Sequence, residues 1–124
     1  MASITELQKS QIPIFFGKLF QARDIIHLSH LKINSYAKHK ALNKFYDDLL
    51  DLIDTLVESY QGENGIQSIE IPASKAQEPI AYLKTLLEVV KSAAPLFKDS
   101  DYLNVLDEIK TLIKRTLYKL QYLP

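Results

Sequence analysis

The sequence predicts an all-α four-helix bundle with a long connection between helices two and three. Four stretches carry apolar residues at helical spacing and account for most of the chain. The connection at residues 62–78 is too long for a tight hairpin. Nothing in the sequence suggests a sheet of any size. The first helix is expected from Pro13 to Asn34, because proline suits the first turn, where its missing N–H has no partner. Phe15, Phe16, Leu19, Phe20, Ala22, Ile26 and Ile33 give it a broad apolar face. The second runs from Tyr36 to Gln61, with Ser35 as its N-cap and Gly62 as its stop. Its stripe is Leu42, Phe45, Tyr46, Leu49, Ile53, Leu56 and Tyr60.

A very short turn joins these two helices, so they form an antiparallel hairpin over 13–61. Residues 62–78 read as a crossover along the outside of the bundle, with "QSIEI" as a short extended segment. The third helix starts at Pro79, after Glu78 or Ser74, and ends near Pro95. The fourth follows "KDSD", where Ser100 or Asp101 can cap it, and ends at Gln121. The two make a second hairpin over 79–121. The chain thus reads as one domain, 1–124.

With 47% hydrophobic residues the chain can bury a real core. Fifteen basic residues balance fifteen acidic ones, so no general attraction to nucleic acid or anionic lipid is expected. No cysteine is present, which excludes disulfides, thiol nucleophiles and cysteine-ligated metal centres. No signal peptide or bilayer-length apolar run is read from the sequence. A cytoplasmic protein is expected. No Ser-His-Asp ordering, phosphate-binding glycine loop or nucleotide fingerprint supports hydrolase or transferase chemistry.

Two features stand out. The fourth helix places acids early and bases late, matching the helix dipole, whereas the second does the reverse. Such a breach of a local rule tends to mark a site or an interface. Antiparallel pairing of the hairpin offers partners for two of its acids, Arg23 for Asp47 and Lys18 for Asp51. Asp54 and Glu58 have no such neighbour. The second feature is the set of three histidines, His27, His30 and His39. His27 and His30 share a helix face, and hairpin pairing sets His30 beside His39 and His27 beside Asn43. His39 and Asp54 are about 22 Å apart along the axis, at about 1.5 Å per residue. One hairpin cannot bring them to one metal ion. Two copies packed antiparallel can.

The run from His27 to Gly62, "HLSHLKINSYAKHKALNKFYDDLLDLIDTLVESYQG", resembles the signature of the ferritin-like miniferritins that protect DNA in starved cells. In that pattern a histidine on the second helix is followed by acids four, fifteen and nineteen residues later; here those positions hold Asn43, Asp54 and Glu58 after His39. Asn43 stands where the pattern has Asp, and Leu31 where it has Trp. The resemblance implies iron or another divalent metal at an inter-subunit, ferroxidase-like site. His30 or His27 with His39 would come from one chain, and Asp54 with Glu58 from its mate. Tyr46 is then either a redox neighbour or a core residue. The same run is similar, more closely, to small uncharacterised bacteriophage proteins, and a phage-encoded chain would be expected in a host cytoplasm or a virion. Two functions are carried forward. One is a metal-binding homo-oligomer, dimeric or larger. The other is a non-catalytic structural or interaction protein that keeps the bundle without metal chemistry. The seven tyrosines suit an interface with a protein partner.

Overall fold

The computed structural model describes residues 4–124, with side chains from residue 6 onward. Its elements are α1 (Ile4–His30), α2 (Tyr36–Asn64), α3 (Pro79–Ala93), a 3-10 turn (Ala94–Leu96) and α4 (Ser100–Tyr122). Among the described residues there is no strand, and none in the connection, where "QSIEI" lies without a pairing partner. Among the described residues no helix is long and apolar enough to cross a membrane.

The direction of each helix follows from contacts between distant residues. After α2, residues 65–78 lie along α1 as a strap. Glu70 abuts Gly17, the Ala73 carbonyl accepts from the Gln21 amide at 3.0 Å, and Gln77 N–H donates to Ser29 Oγ at 3.0 Å. The strap therefore runs parallel to α1 and delivers α3 to the end where the α1–α2 hairpin closes. From Glu70 to Gln77 an extended chain covers about 23 Å at about 3.3 Å per residue. From Gly17 to Ser29 a helix rises about 18 Å, so the strap has little slack.

At the far end Phe97, just beyond α3, packs on Phe15 and Phe16 with centroids 6.1 and 6.3 Å away. The Tyr102 hydroxyl, at the start of α4, donates to Glu63 Oε1 near the end of α2 at 2.5 Å. The order is up, down, down, up. α1 neighbours α2 and α3, and α4 neighbours α2 and α3. This is a bundle with one long crossover.

One continuous core fills the interior, with Phe16, Leu19, Phe45, Leu49, Ile53 and Ile109 fully or almost fully buried. Its open end is aromatic. Phe16 meets Tyr60 edge-on at 5.5 Å and Tyr60 lies 5.7 Å from Tyr102. Such pairs each add about 0.5–1.5 kcal/mol beyond burial.

Several boundaries differ from the sequence reading. α1 begins nine residues before Pro13, which sits inside it. Ile12, only 3% exposed, belongs to the core, and its burial holds the segment helical through a proline that costs about 3 kcal/mol in a helix interior. α1 ends at His30, not Asn34, leaving Ile33 outside it. Ser35 must be extended to act as N-cap, and its hydroxyl accepts from Lys38 N–H at 3.2 Å. α2 continues through Gly62 to Asn64. Gly65, at φ 90°, makes the stop by donating its N–H to the Gln61 carbonyl at 2.8 Å. α4 takes Asp99 as its N-cap residue, one before Ser100. The third helix begins as expected: Glu78 accepts from Ile80 and Ala81 N–H at 3.2 and 2.6 Å.

Gly17 decides whether the strap can lie flat. A Cβ there would collide with the Glu70 carbonyl oxygen, a backbone atom that cannot rotate away. Gly17→Ala is expected to cost about 1–3 kcal/mol, although alanine favours a helix by about 1 kcal/mol over glycine. Urea unfolding should show a lower midpoint, with new proteolytic cleavage within residues 65–78. A more stable, protease-resistant variant would contradict the close approach.

Candidate functional site

The last turn of a helix leaves carbonyls without intrahelical donors. At the end of α1 three of these receive donors, two of them from imidazoles. The His27 carbonyl accepts from His30 Nδ1–H at 2.5 Å. The His30 carbonyl accepts from His39 Nδ1–H at 2.9 Å, across the turn to α2. The Ser29 carbonyl accepts from Lys32 N–H at 3.1 Å. Because carbonyls only accept, both rings carry hydrogen on Nδ1, and in the neutral ring Nε2 is the acceptor.

The sequence places the three histidines together, and in the structure they meet. His30 and His39 are stacked with centroids 4.3 Å apart, and His27 lies 5.2 Å from His30. His30 is 4% exposed; the other two are half-buried. Tyr46 of α2 inserts between them and the rest of α1. Its ring stacks on His27 at 4.4 Å and 19° and meets His30 edge-on at 5.0 Å. The Arg23 guanidinium lies 6.0 Å from the same ring.

Helix geometry explains why His27 meets Tyr46 and not Asn43. Side chains tilt toward the N-terminus of their own helix, so in an antiparallel pair those of α1 and α2 lean past each other. Contacts therefore fall about a turn further along α2. Phe16 with Tyr60 shows the same offset at the other end.

From Tyr46 a chain of hydrogen bonds leads outward. Its hydroxyl donates to Asn43 Oδ1 at 2.6 Å and lies 3.4 Å from His30 Nε2. Asn43 Nδ2–H donates to Asp47 Oδ2 at 3.1 Å. The expected Arg23–Asp47 pair does not form: Arg23 bridges Asp24 at 3.5 Å, and Asp47 takes the Asn43 amide. Lys18 and Asp51 are not joined by an ion pair among the described residues. Lys18 borders the strap and α3 instead.

Asp54 and Glu58 are exposed on α2, apart from the histidines. Among the described residues no three His, Cys, Asp or Glu side chains gather as a metal-binding group. Sequence reasoning missed the capping role of His30 and His39, the contact of Arg23 with Tyr46, and Asn43 as acceptor for the Tyr46 hydroxyl. The Asn43–Tyr46 spacing of three was the available signal.

Burial pushes the Tyr46 phenol above its ordinary range; the Asp47 charge adds to this and Arg23 opposes it. Tyr60 is raised by burial and then by Glu63. Burial pushes Tyr82 up to about 12. Tyr102 is raised by burial, by its hydrogen bond to Glu63 and by nearby acidic charges.

These features define an all-helical bundle whose first hairpin is closed by a histidine–tyrosine cluster. The chain belongs to a family of unknown function, DUF5856, whose profile matches residues 30–120. It is similar to an uncharacterised 14.6 kDa protein from the mobD-ri intergenic region of Enterobacteria phage T4, with 27% identity over 85 residues. That match covers 68% of this chain and 66% of the phage protein, just under two thirds of its length. No solved structure matches.

Two outcomes follow from the cluster. Tyr46→Phe removes one hydroxyl and its bond to Asn43, and is expected to lower stability by about 1 kcal/mol in urea unfolding. An unchanged midpoint would mean that water replaces the phenol. The raised tyrosines also set an alkaline limit. A folded-state value above that of the free phenol gives stability that is complete below about pH 10 and lost as pH rises through the raised values. Unfolding midpoints should hold through mild alkali and fall above it; a rise there would reverse the sign.

Proposed function

We propose that this protein is a non-catalytic helical-bundle protein of a phage-type family that works through its surface. In this reading the histidines serve to close the first hairpin. Its up-down-down-up order with one long crossover supports a ferritin-like architecture. The observation that carries the reading is where the imidazole hydrogens go. His30 and His39 both direct Nδ1–H to the end of α1, while His30 Nε2 faces Tyr46. These are the contacts of capping residues.

A second reading is a metal-binding homo-oligomer, favoured by one observation. His39 Nε2 has no hydrogen-bond partner among the described residues, and Asp54 and Glu58 are exposed. In that reading iron or another divalent ion is held between two copies, by His39 with His30 or His27 from one and by Asp54 and Glu58 from the other. Imidazole and carboxylate ligands suit such ions, and any activity would be ferroxidase-like.

Chelation and titration separate the two. Excess EDTA is expected to leave the melting temperature unchanged. Calorimetric titration with Fe(II) under anaerobic conditions should give equal, negligible heats for the wild type and His39→Ala. Saturable binding lost on His39→Ala would establish the second reading instead.

A further inference from the structure

The charge orders of α2 and α4 oppose each other in sequence but coincide in space, because the two helices run antiparallel. Lys38, Lys40 and Lys44 of α2 lie at the same end as Lys114, Arg115 and Lys119 of α4. Asp51, Asp54 and Glu58 lie toward the other end, with Asp101, Asp107 and Glu108. A chain with no net charge is thus segregated into a basic end and an acidic end. The reversed charge order of α2 is what makes the segregation possible.

One outward stripe of α2 carries this pattern in a particular form. Tyr36, Lys40, Lys44, Asp47, Asp51, Asp54 and Glu58 are all exposed and follow one another at intervals of three or four, so they share a face. About Asp47 the stripe is nearly symmetric in position, and its two inner pairs are opposite in sign. Lys44 and Asp51 stand three and four residues from it, Lys40 and Asp54 seven on either side, and Tyr36 and Glu58 eleven.

We propose that a second copy of this chain docks on this stripe, with the two α2 helices antiparallel across a two-fold axis at Asp47. Lys44 of each copy meets Asp51 of the other, Lys40 meets Asp54, and the Tyr36 hydroxyl meets Glu58. The contact is isologous, so each pair occurs twice. Asp47 against its own counterpart is the one like-charged contact, and each of those carboxylates holds the Asn43 amide. Lys44 shares its ammonium with Asp48, 2.9 Å away in its own helix. The Lys40 ammonium lies 5.5 Å from the Tyr36 ring, which keeps it on the stripe.

Charge complementarity selects the occupant. A nucleic acid or an acidic peptide would match only the basic half and be repelled by Asp51, Asp54 and Glu58. A second copy matches both halves. The seam holds no aliphatic side chain, so the association is reversible and screened by salt. This inference rests on the non-catalytic reading, but its salt and charge-reversal outcomes can fail while that reading stands.

Sedimentation equilibrium on the full chain, with EDTA present, is the test. The wild type is expected to dimerise at about 20 mM salt and to weaken by about tenfold or more at about 500 mM, as the screening length shortens. Lys40→Glu/Lys44→Glu and Asp51→Lys/Asp54→Lys should each be monomeric at low salt. An equimolar mixture of the two should re-form a dimer, since all four acid–base pairs are then restored, two of them as in the wild type and two with the sign exchanged. That recovery also shows that both variants are folded. A wild type that stays monomeric at low salt overturns the proposal, as does a dimer indifferent to both reversals. A dimer that forms only when divalent metal replaces EDTA overturns charge-driven docking and points to the metal-bridged reading.

Discussion

A helix that ends inside a folded chain leaves carbonyl oxygens that need donors, and much of this structure is arranged around those at the end of α1. Water can serve such groups at a surface. Here the helix stops under Tyr46 and beside the strap, where the His30 ring is almost wholly buried. Imidazole suits the task because it is flat enough to stack and carries a directional N–H. His30 reaches back to the turn behind it, and His39 reaches across from α2. The second of these bonds ties the closing geometry of the hairpin to a side chain on its other arm. Tyr46 then packs between the arms, with its ring against His27 and His30.

The strap carries that arrangement to the second half of the chain. Ser29, in the last turn of α1, donates to the Ile25 carbonyl at 2.6 Å and accepts from Gln77 N–H. The same turn that is closed by imidazoles therefore also anchors the segment just before Glu78, the N-cap of α3. Gly17 sets the other end of the contact by leaving room for the Glu70 backbone. Between these points α3 is delivered antiparallel to α1, and α4 returns to complete the layer against α2. The hairpin end and the crossover are thus two parts of one constraint.

Most of the architecture was legible in the sequence because burial follows periodicity. The apolar stripe of α2, the place of the crossover and the cap at Glu78 are all read from spacing and residue type. The meeting of His27, His30 and His39 was legible for the same reason, as hairpin pairing sets them at one level. Pro13 misled, because its local preference for a first turn yields to the burial of Ile12. Gly62 misled in a similar way: it resembles a helix stop, but Gly65 is the glycine with positive φ. The chemistry of the site was less legible. Spacing tells which rings are neighbours, not which ring nitrogen holds the hydrogen or which backbone carbonyl receives it. The reversed charges of α2 were visible as an anomaly in one helix. Their meaning depends on α4, whose direction only the fold supplies.

The separation of charge also changes what neutrality means for this molecule. Zero net charge usually describes a particle that an electric field neither pulls nor turns. With bases gathered at one end and acids at the other, this bundle is a permanent dipole along its long axis, and a field would orient it without moving it. Nearby molecules meet that dipole as well. At short range and low salt they encounter two different objects, one cationic and one anionic, depending on the side from which they approach. An isoelectric point near 6.8 is therefore an average over two surfaces and describes neither.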